Sequence, residues 1–560
     1  MHINLRIAGE AGQGVQTTGS LLVDALTSMG LYVFSTQSYM SRIRGGLNWF
    51  DIRISDQELF SGSDLADLLV ALTEESLREL SSRVTKGGRV LFDGDSVSNG
   101  IAIGFRKVAK EASGSPLMAN SVAAGAVFGL LGYDLDALCR HIAGVFKKKG
   151  AGSVEKNLAC AHRGYEIAAS NTPIRSPKGN GASAETYDGS TAVGLAAATA
   201  GIKFVTSYPM TPSTGTFTCL ASLADEYGIV VEQAEDEIAA INMVCGACYA
   251  GVPAMTTTSG GGFALMTEGL SLAGMMELPA FVMLSQRPGP ATGLPTRTGQ
   301  EDLKFAVCAG HGEFPRAIFA PGSPEQAYEL TRHALVTAHK YQTPAILMID
   351  QFLADQRKNV AELSRESRPI DRHITACPSG DYRRYAVTSD GVSPRALPGG
   401  DVFVVSDSDE HTEEGHITED LDVRVQLQEK RLRKGAAMTS DVLPPTRYGP
   451  VDADLLLISW GSTYGPCREA VDSLNASGHS AALLHFAQVW PLNPKVVRQA
   501  LGSSGPSANR SARTICVENN ATGQFASLLR ERGILATCDL FLKYDGMPFT
   551  GEEIMGRVIE

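Results

Sequence analysis

Short apolar runs alternate with helical repeats along most of the chain. Residues 3–8 read as a strand leading into a glycine-rich turn, residues 18–29 as a helix, and residues 32–35 and 89–92 as further strands. A second unit repeats the pattern: helix 190–200, strand 204–207, helix 235–250, and strands 254–258 and 280–285, ending near residues 350–354. A third begins at Ala453, with strands 455–460, 481–485 and 513–518 around a helix at 465–475. Strands alternating with helices predict parallel sheets, and so an α/β protein of three α/β domains spanning 1–172, 186–354 and 451–560. Residues 173–185, with Pro177, Gly179 and Gly181, read as a linker. Residues 355–450 are irregular and charged, with helical periodicity only around 424–434, and read as an extended connection packed over a neighbouring domain.

Composition narrows the class. A chain of 560 residues exceeds what one core serves, so three or four domains are expected. With 43% hydrophobic and 20% charged residues it is an ordinary globular protein. A net charge of -12 argues against nucleic acid or an anionic membrane as partner, and the one lysine run, Lys147 to Lys149, reads as a solvated helix end. The opening residues lack a basic region followed by a long apolar run, and no apolar stretch reaches the ~20 residues that span a bilayer. A soluble, cytoplasmic protein is expected. The ten cysteines are scattered, as in a reduced chain. Cys245 and Cys248 form the one Cys-x-x-Cys, within an apolar helical pattern where small-residue packing accounts for it, so no metal site is expected in this chain.

Three segments carry candidate chemistry. Ser207-Tyr208-Pro209-Met210-Thr211-Pro212 follows a strand, at the sheet edge where open α/β folds bind ligands; the flanking prolines restrain Thr211, whose plainer role is a helix cap. Glu235, Asp236 and Glu237 open a helix, where carboxylates are favoured by the dipole. Glu237 directly precedes the apolar run and could turn inward, where it needs a partner. Arg287, before Pro288-Gly289-Pro290, carries a planar fork suited to a carboxylate, against the plain alternative of a solvated arginine. Gly9, Gly12 and Gly14 raise the rival of a nucleotide-dependent dehydrogenase. The dinucleotide fingerprint, started at Gly12, finds Thr17 at its third glycine, and the second strand ends without a ribose-binding acid.

These segments, with Thr256 to Gly262 and Gln300-Glu301-Asp302-Leu303, resemble the alpha subunit of 2-oxoacid:ferredoxin oxidoreductases. Gly9-Glu10-Ala11-Gly12-Gln13-Gly14 and Arg42-Ile43-Arg44-Gly45-Gly46 resemble the family's gamma subunit, which implies a gamma-alpha fusion. Trp460-Gly461-Ser462-Thr463 and Val517 to Gln524 resemble the alpha subunit's C-terminal, transketolase-like domain. The fused arrangement is most similar to 2-oxoglutarate oxidoreductases; pyruvate, indolepyruvate and branched-chain relatives are the alternatives.

The resemblance implies a thiamine-diphosphate pyrimidine-binding domain at 186–354. It puts Glu237 on the cofactor's aminopyrimidine, Pro209 against the cofactor, Thr211 near the substrate's keto and carboxylate oxygens, and Arg287 on its carboxylate. It implies oxidative decarboxylation, or the reverse carboxylation, with coenzyme A as co-substrate and ferredoxin as electron partner. The magnesium-diphosphate signature of thiamine enzymes and a cysteine set for a 4Fe-4S cluster are not found here. In two-subunit members a beta subunit supplies both, implying a dimer of heterodimers with the active site between chains. The remaining alternative is a non-catalytic scaffold for that subunit.

Overall fold

The computed structural model describes all residues except 41–44, 99, 184, 376–381, 503–512 and 560. Arg42, Ile43 and Arg44 of the second glycine motif therefore lie outside the described residues. The chain divides into two compact units, one of residues 1–188 with 355–362 and 550–552, the other of 189–354, 363–549 and 553–560.

The first unit is built on an eight-stranded sheet. Strand His2–Ala11 lies between Ala66–Ala71, which runs parallel, and Gly45–Ser55, which runs antiparallel. The sheet is thus mixed, where alternating elements predict a parallel one. Tyr32–Ser38 and Gly45–Ser55 are joined by too few residues for a crossover, so they pair antiparallel. Phe50, Ile52 and Ile54 alternate inward along the second of these strands. Residues 173–183 run irregularly but are tied down: Tyr133 donates its hydroxyl hydrogen to the Pro177 carbonyl at 3.0 Å, and the Asn180 and Ala182 amides bond the Gly30 carbonyl. Gly12 and Gly14 adopt positive φ, and Gly14 caps helix Val15–Ser28 beside a cavity of about 630 Å³ that includes Tyr39 and Trp49.

The second unit holds a seven-stranded sheet and a five-stranded sheet. In the first, Ala345–Asp350, Phe281–Gln286, Ala254–Thr258, Phe204–Ser207 and Val230–Gln233 follow one another in parallel. All five strand ends therefore share one edge. The five-stranded sheet centres on Leu455–Trp460, parallel to Ala481–Phe486 and Arg513–Glu518. Val282, Leu284 and Ile346 pack in one core with Leu456, Trp460 and Phe525, so the two sheets form a continuous interior.

The charged segment before the C-terminal domain is fastened by buried ions. Helix Leu421–Ser440 points Lys430 and Lys434, one turn apart, at Glu277. Each ammonium lies 2.7 Å from a different oxygen of that fully buried carboxylate. Arg384 donates to the Glu277 carbonyl at 2.9 Å and to Gln342 Oε1 at 2.9 Å. Burial raises the carboxyl's proton affinity, but the two lysines and Arg384 outweigh it and hold Glu277 well below the usual carboxylate range.

Candidate functional site

The shared strand edge gathers the candidate residues. Ser207 sits opposite Gln233 in the ladder, and its hydroxyl oxygen accepts the Thr257 amide at 2.9 Å, so three neighbouring strand ends are locked together. Helix Glu237–Tyr249 leaves the edge after Val230–Gln233. Its three acids separate by role. Glu235 is exposed, and Asp236 caps the helix by accepting the Ala239 amide at 2.8 Å. Glu237 turns inward and is only 3% exposed. Its Oε1 is buried with no hydrogen-bond donor within the described residues. A carboxylate in that condition is costly unless something outside the chain completes it. Gly262 leaves the oxygen room, since a Cβ there would stand 2.5 Å from Oε1.

Thr211 and Arg287 are brought together, though not through the threonine hydroxyl: Arg287 Nη1 donates to the Thr211 backbone carbonyl at 2.6 Å. The following helix starts after Ser213, whose hydroxyl donates back to the Met210 carbonyl, so Thr211 does not stand at the cap position. Pro209 is half-buried on the same loop. Arg287 is half-buried, and burial lowers its pKa against the opposing pull of Asp302.

Asp302 carries a signal that sequence reasoning passed over. It precedes apolar Leu303 as Glu237 precedes Ile238. Its amide donates to Gln286 Oε1 at 3.2 Å, its Oδ2 is buried without a partner, and a Cβ on Gly260 would lie 2.5 Å from that oxygen. Burial, reinforced by Glu301, pushes its carboxyl up to about 6, while Arg287 opposes the rise. Ser259 and Ser285, at the ends of the two central strands, also keep buried hydroxyls without partners. The edge thus presents the Arg287 cation, the inward carboxyls of Glu237 and Asp302 with an unpartnered oxygen each, and unpaired hydroxyls.

The family model described as pyruvate flavodoxin/ferredoxin oxidoreductase, thiamine diphosphate-binding, matches residues 195–430, the whole of this edge. That described as pyruvate ferredoxin/flavodoxin oxidoreductase matches residues 4–167. The 2-oxoacid:ferredoxin oxidoreductase subunit alpha of a Sulfolobus species is 30% identical, covering 100% of this chain and 97% of the relative. The chain belongs to the 2-oxoacid:ferredoxin oxidoreductase family, as an alpha subunit. The 2-oxoglutarate oxidoreductase subunit KorA of Mycobacterium tuberculosis is 29% identical over 100% of this chain and 91% of its own length. The solved 2-oxoglutarate:ferredoxin oxidoreductase of Magnetococcus marinus, with 2-oxoglutarate, coenzyme A and succinyl-CoA bound, superposes at a TM-score of 0.92 and is 30% identical, covering 100% of this chain and 99% of that one.

In this alpha subunit the C-terminal motifs act as a clamp on the site. Glu518, fully buried, accepts from Trp460 Nε1, Asn520 Nδ2 and the Phe525 and Ala526 amides. Beside it, Asn519 and Gln300 bond reciprocally, the Gln300 amide to the Asn519 carbonyl at 2.7 Å and the Asn519 amide to Gln300 Oε1 at 2.9 Å. Gln524 Nε2 donates to the Glu301 carbonyl at 2.6 Å. The segment carrying Asp302 is therefore positioned by the five-stranded domain. Cys245 and Cys248 lie within the helix that Glu237 opens, their thiols against the Gly269 and Pro279 carbonyls, and burial pushes both up to about 12. They are packing residues.

Two outcomes follow from this geometry. On the expectation that Arg287 holds the oxoacid carboxylate, Arg287→Lys replaces a fork by a point charge, and a lost charge-assisted bond of about 1–3 kcal/mol would be read as roughly 5- to 150-fold in oxoacid affinity. Steady-state kinetics with saturating cofactor should show it in KM, and unchanged constants would place the carboxylate elsewhere. For Asp302 the folded pKa lies above the ordinary 3.8, so its stability contribution is present below 3.8 and is lost as pH rises through about 6. Above that pH the new negative charge competes for Arg287. The oxoacid KM is expected to rise as pH increases through about 6, and Asp302→Asn should flatten that step. An unaltered step in the variant would assign the titration to another group.

Proposed function

We propose that the strand edge is the half-site of a thiamine-diphosphate-dependent, coenzyme A-acylating oxidation of a 2-oxoacid, with 2-oxoglutarate as substrate. The observation that carries this reading is the buried, partnerless Oε1 of Glu237 in a chain of this family. A carboxyl there fits the ring nitrogen of an aminopyrimidine, and the absence of a side chain on Gly262 lets the backbone pack closely against Glu237 and hold its carboxyl in place. Glu237 holds that nitrogen and the proton on it, Pro209 walls the cofactor, Thr211 orients the oxoacid, and Arg287 binds its carboxylate. When bound, thiamine diphosphate supplies the nucleophilic carbon on which the oxoacid loses carbon dioxide. Residues 1–172 stand as the gamma-type domain, 173–185 as the linker, 186–354 as the pyrimidine domain, 355–450 as a connection and 451–560 as the transketolase-like domain.

Magnesium, the diphosphate site and the 4Fe-4S cluster belong in this reading to a beta subunit, in a dimer of heterodimers that passes electrons to ferredoxin in the cytoplasm. No helix among the described residues is long and apolar enough to cross a membrane. The choice of 2-oxoglutarate is supported by the Mycobacterium tuberculosis and Magnetococcus marinus relatives, each named for that substrate.

Two measurements test it. Rates of 2-oxoglutarate, pyruvate and indolepyruvate oxidation by the reconstituted complex with coenzyme A should favour 2-oxoglutarate; equal rates would defeat the substrate assignment. The chain purified alone should be colourless and fail to reduce viologen with any 2-oxoacid, and adding the beta subunit should bring colour, tight cofactor binding and turnover together. A brown or active isolated chain would misplace the cluster or the cofactor site.

A further inference from the structure

A second reactive arrangement lies in the C-terminal domain, apart from Glu237 and Arg287. Cys516 is fully buried in strand Arg513–Glu518, and Cys538, half-buried, immediately precedes strand Asp539–Leu542. The two strands are parallel neighbours, with Ile515 opposite Asp539, and the two sulfurs stand 3.5 Å apart. Cys516 lies opposite Leu540, two residues from Cys538; a disulfide needs about 2.05 Å between sulfurs, so a shift of roughly 1.5 Å closes the bond.

The two thiols are chemically unequal. A hydrogen bond from the Cys516 thiol stabilises a Cys538 thiolate, burial opposes it and Arg530 assists, with the balance lowering the pKa of Cys538. Cys516 is raised by the same hydrogen bond and by burial. Cys538, the more accessible of the two, is thus the nucleophile and fully buried Cys516 the reserve thiol, the division of labour found where a reactive cysteine is poised beside a resolving one. Buried Cys245 and Cys248, by contrast, are inert single thiols against carbonyls.

We propose that Cys538 is an oxidative modification site resolved by Cys516 into a reversible disulfide between the two strands. With hydrogen peroxide as oxidant, the Cys538 thiolate attacks one peroxide oxygen. The S–O bond forms as the O–O bond breaks, and hydroxide leaves to take up a proton as water. Cys516, losing its proton, then attacks the oxidised sulfur; the S–S bond forms, the S–O bond breaks, and a second water leaves. Two thiols and one peroxide give one disulfide and two waters. The bond would fall two residues before Glu518 on the strand whose end holds Gln300 through Asn519.

The test uses the full chain, reduced and then treated with equimolar hydrogen peroxide, cleaved with trypsin and analysed by mass without reductant. Peptides 514–530 and 533–543 carry one of the two cysteines each. They should appear linked, lighter by two hydrogens than their sum, account for most of the lost thiol, and separate on adding dithiothreitol. Cys516→Ser should stop the reaction at a Cys538 sulfenic acid, captured by dimedone on peptide 533–543. Cys538→Ser should leave Cys516 reduced. Should one variant fail to fold, the wild-type linkage and the other variant still decide. Absence of the linked pair while exposed Cys308 is oxidised, no dimedone adduct in Cys516→Ser, or a linkage that scales with protein concentration would each overturn the proposal.

Discussion

Glu237→Gln should lower oxoacid-dependent viologen reduction by the reconstituted complex roughly 100-fold or more, the scale of a lost acid-base group. The glutamine amide is nearly isosteric, so helix Glu237–Tyr249, capped by Asp236, should form unchanged. What changes is chemical. A carboxyl bonded to a ring nitrogen can exchange a proton with it, and an amide cannot. The loss should appear in turnover, with subunit assembly and the thermal midpoint preserved. Gly262→Ala should reproduce much of it from the other side, because the added methyl meets Glu237 Oε1 at 2.5 Å. A scaffold that merely binds the beta subunit predicts an unchanged rate in both.

The second large effect is on stability. Glu277→Gln leaves the ammonium groups of Lys430 and Lys434 in the interior with no counter-charge. Removing one partner of a buried pair costs about 3–5 kcal/mol. The cost should appear as a lower thermal midpoint and earlier release of helix Leu421–Ser440, followed by limited proteolysis. Acid should act similarly. The folded pKa of Glu277 is depressed, so its stabilisation is present above 4.5 and is lost as pH falls below that value toward the depressed one. Replacing Glu277, Lys430 and Lys434 together by methionine should recover much of the loss, because apolar side chains of similar volume need no desolvation of charge. A single variant as stable as the wild type would mean that water reaches this cluster.

The periodic parts of the fold were legible in the sequence because burial imposes them. The central strands 204–207, 254–258 and 280–285 are short runs of apolar and threonine residues between helical repeats, and they form neighbouring parallel strands. Gly45–Ser55 escaped notice although Phe50, Ile52 and Ile54 alternate with Asp51 and Arg53 as a half-buried strand does; the charged face finds its partner only in the fold, where Arg6 Nε pairs with Asp51 at 2.6 Å, 45 residues away. The same limit hid the ion cluster. The helix around 424–434 was readable, but nothing near Lys430 and Lys434 in sequence points to Glu277, 153 and 157 residues away, which the fold brings beneath them. At the candidate site, the inward turn of Glu237 was readable from its place before an apolar run, whereas the bond from Arg287 to the Thr211 carbonyl joins residues 76 apart and needed the sheet. Asp302 stood in a quoted motif without a role. Its character comes from Gly260, Gln286 and the C-terminal clamp, all distant in sequence.

The proposed role of Glu237 on the aminopyrimidine is the step on which turnover depends. Exchange of the thiazolium C2 hydrogen for deuterium, followed by quenched-flow NMR in the reconstituted complex without oxoacid, reads that role before any substrate step. Wild-type complex should exchange far faster than free thiamine diphosphate, and Glu237→Gln should fall back toward the free rate while still binding the cofactor. Equal exchange rates in the two proteins would contradict the account.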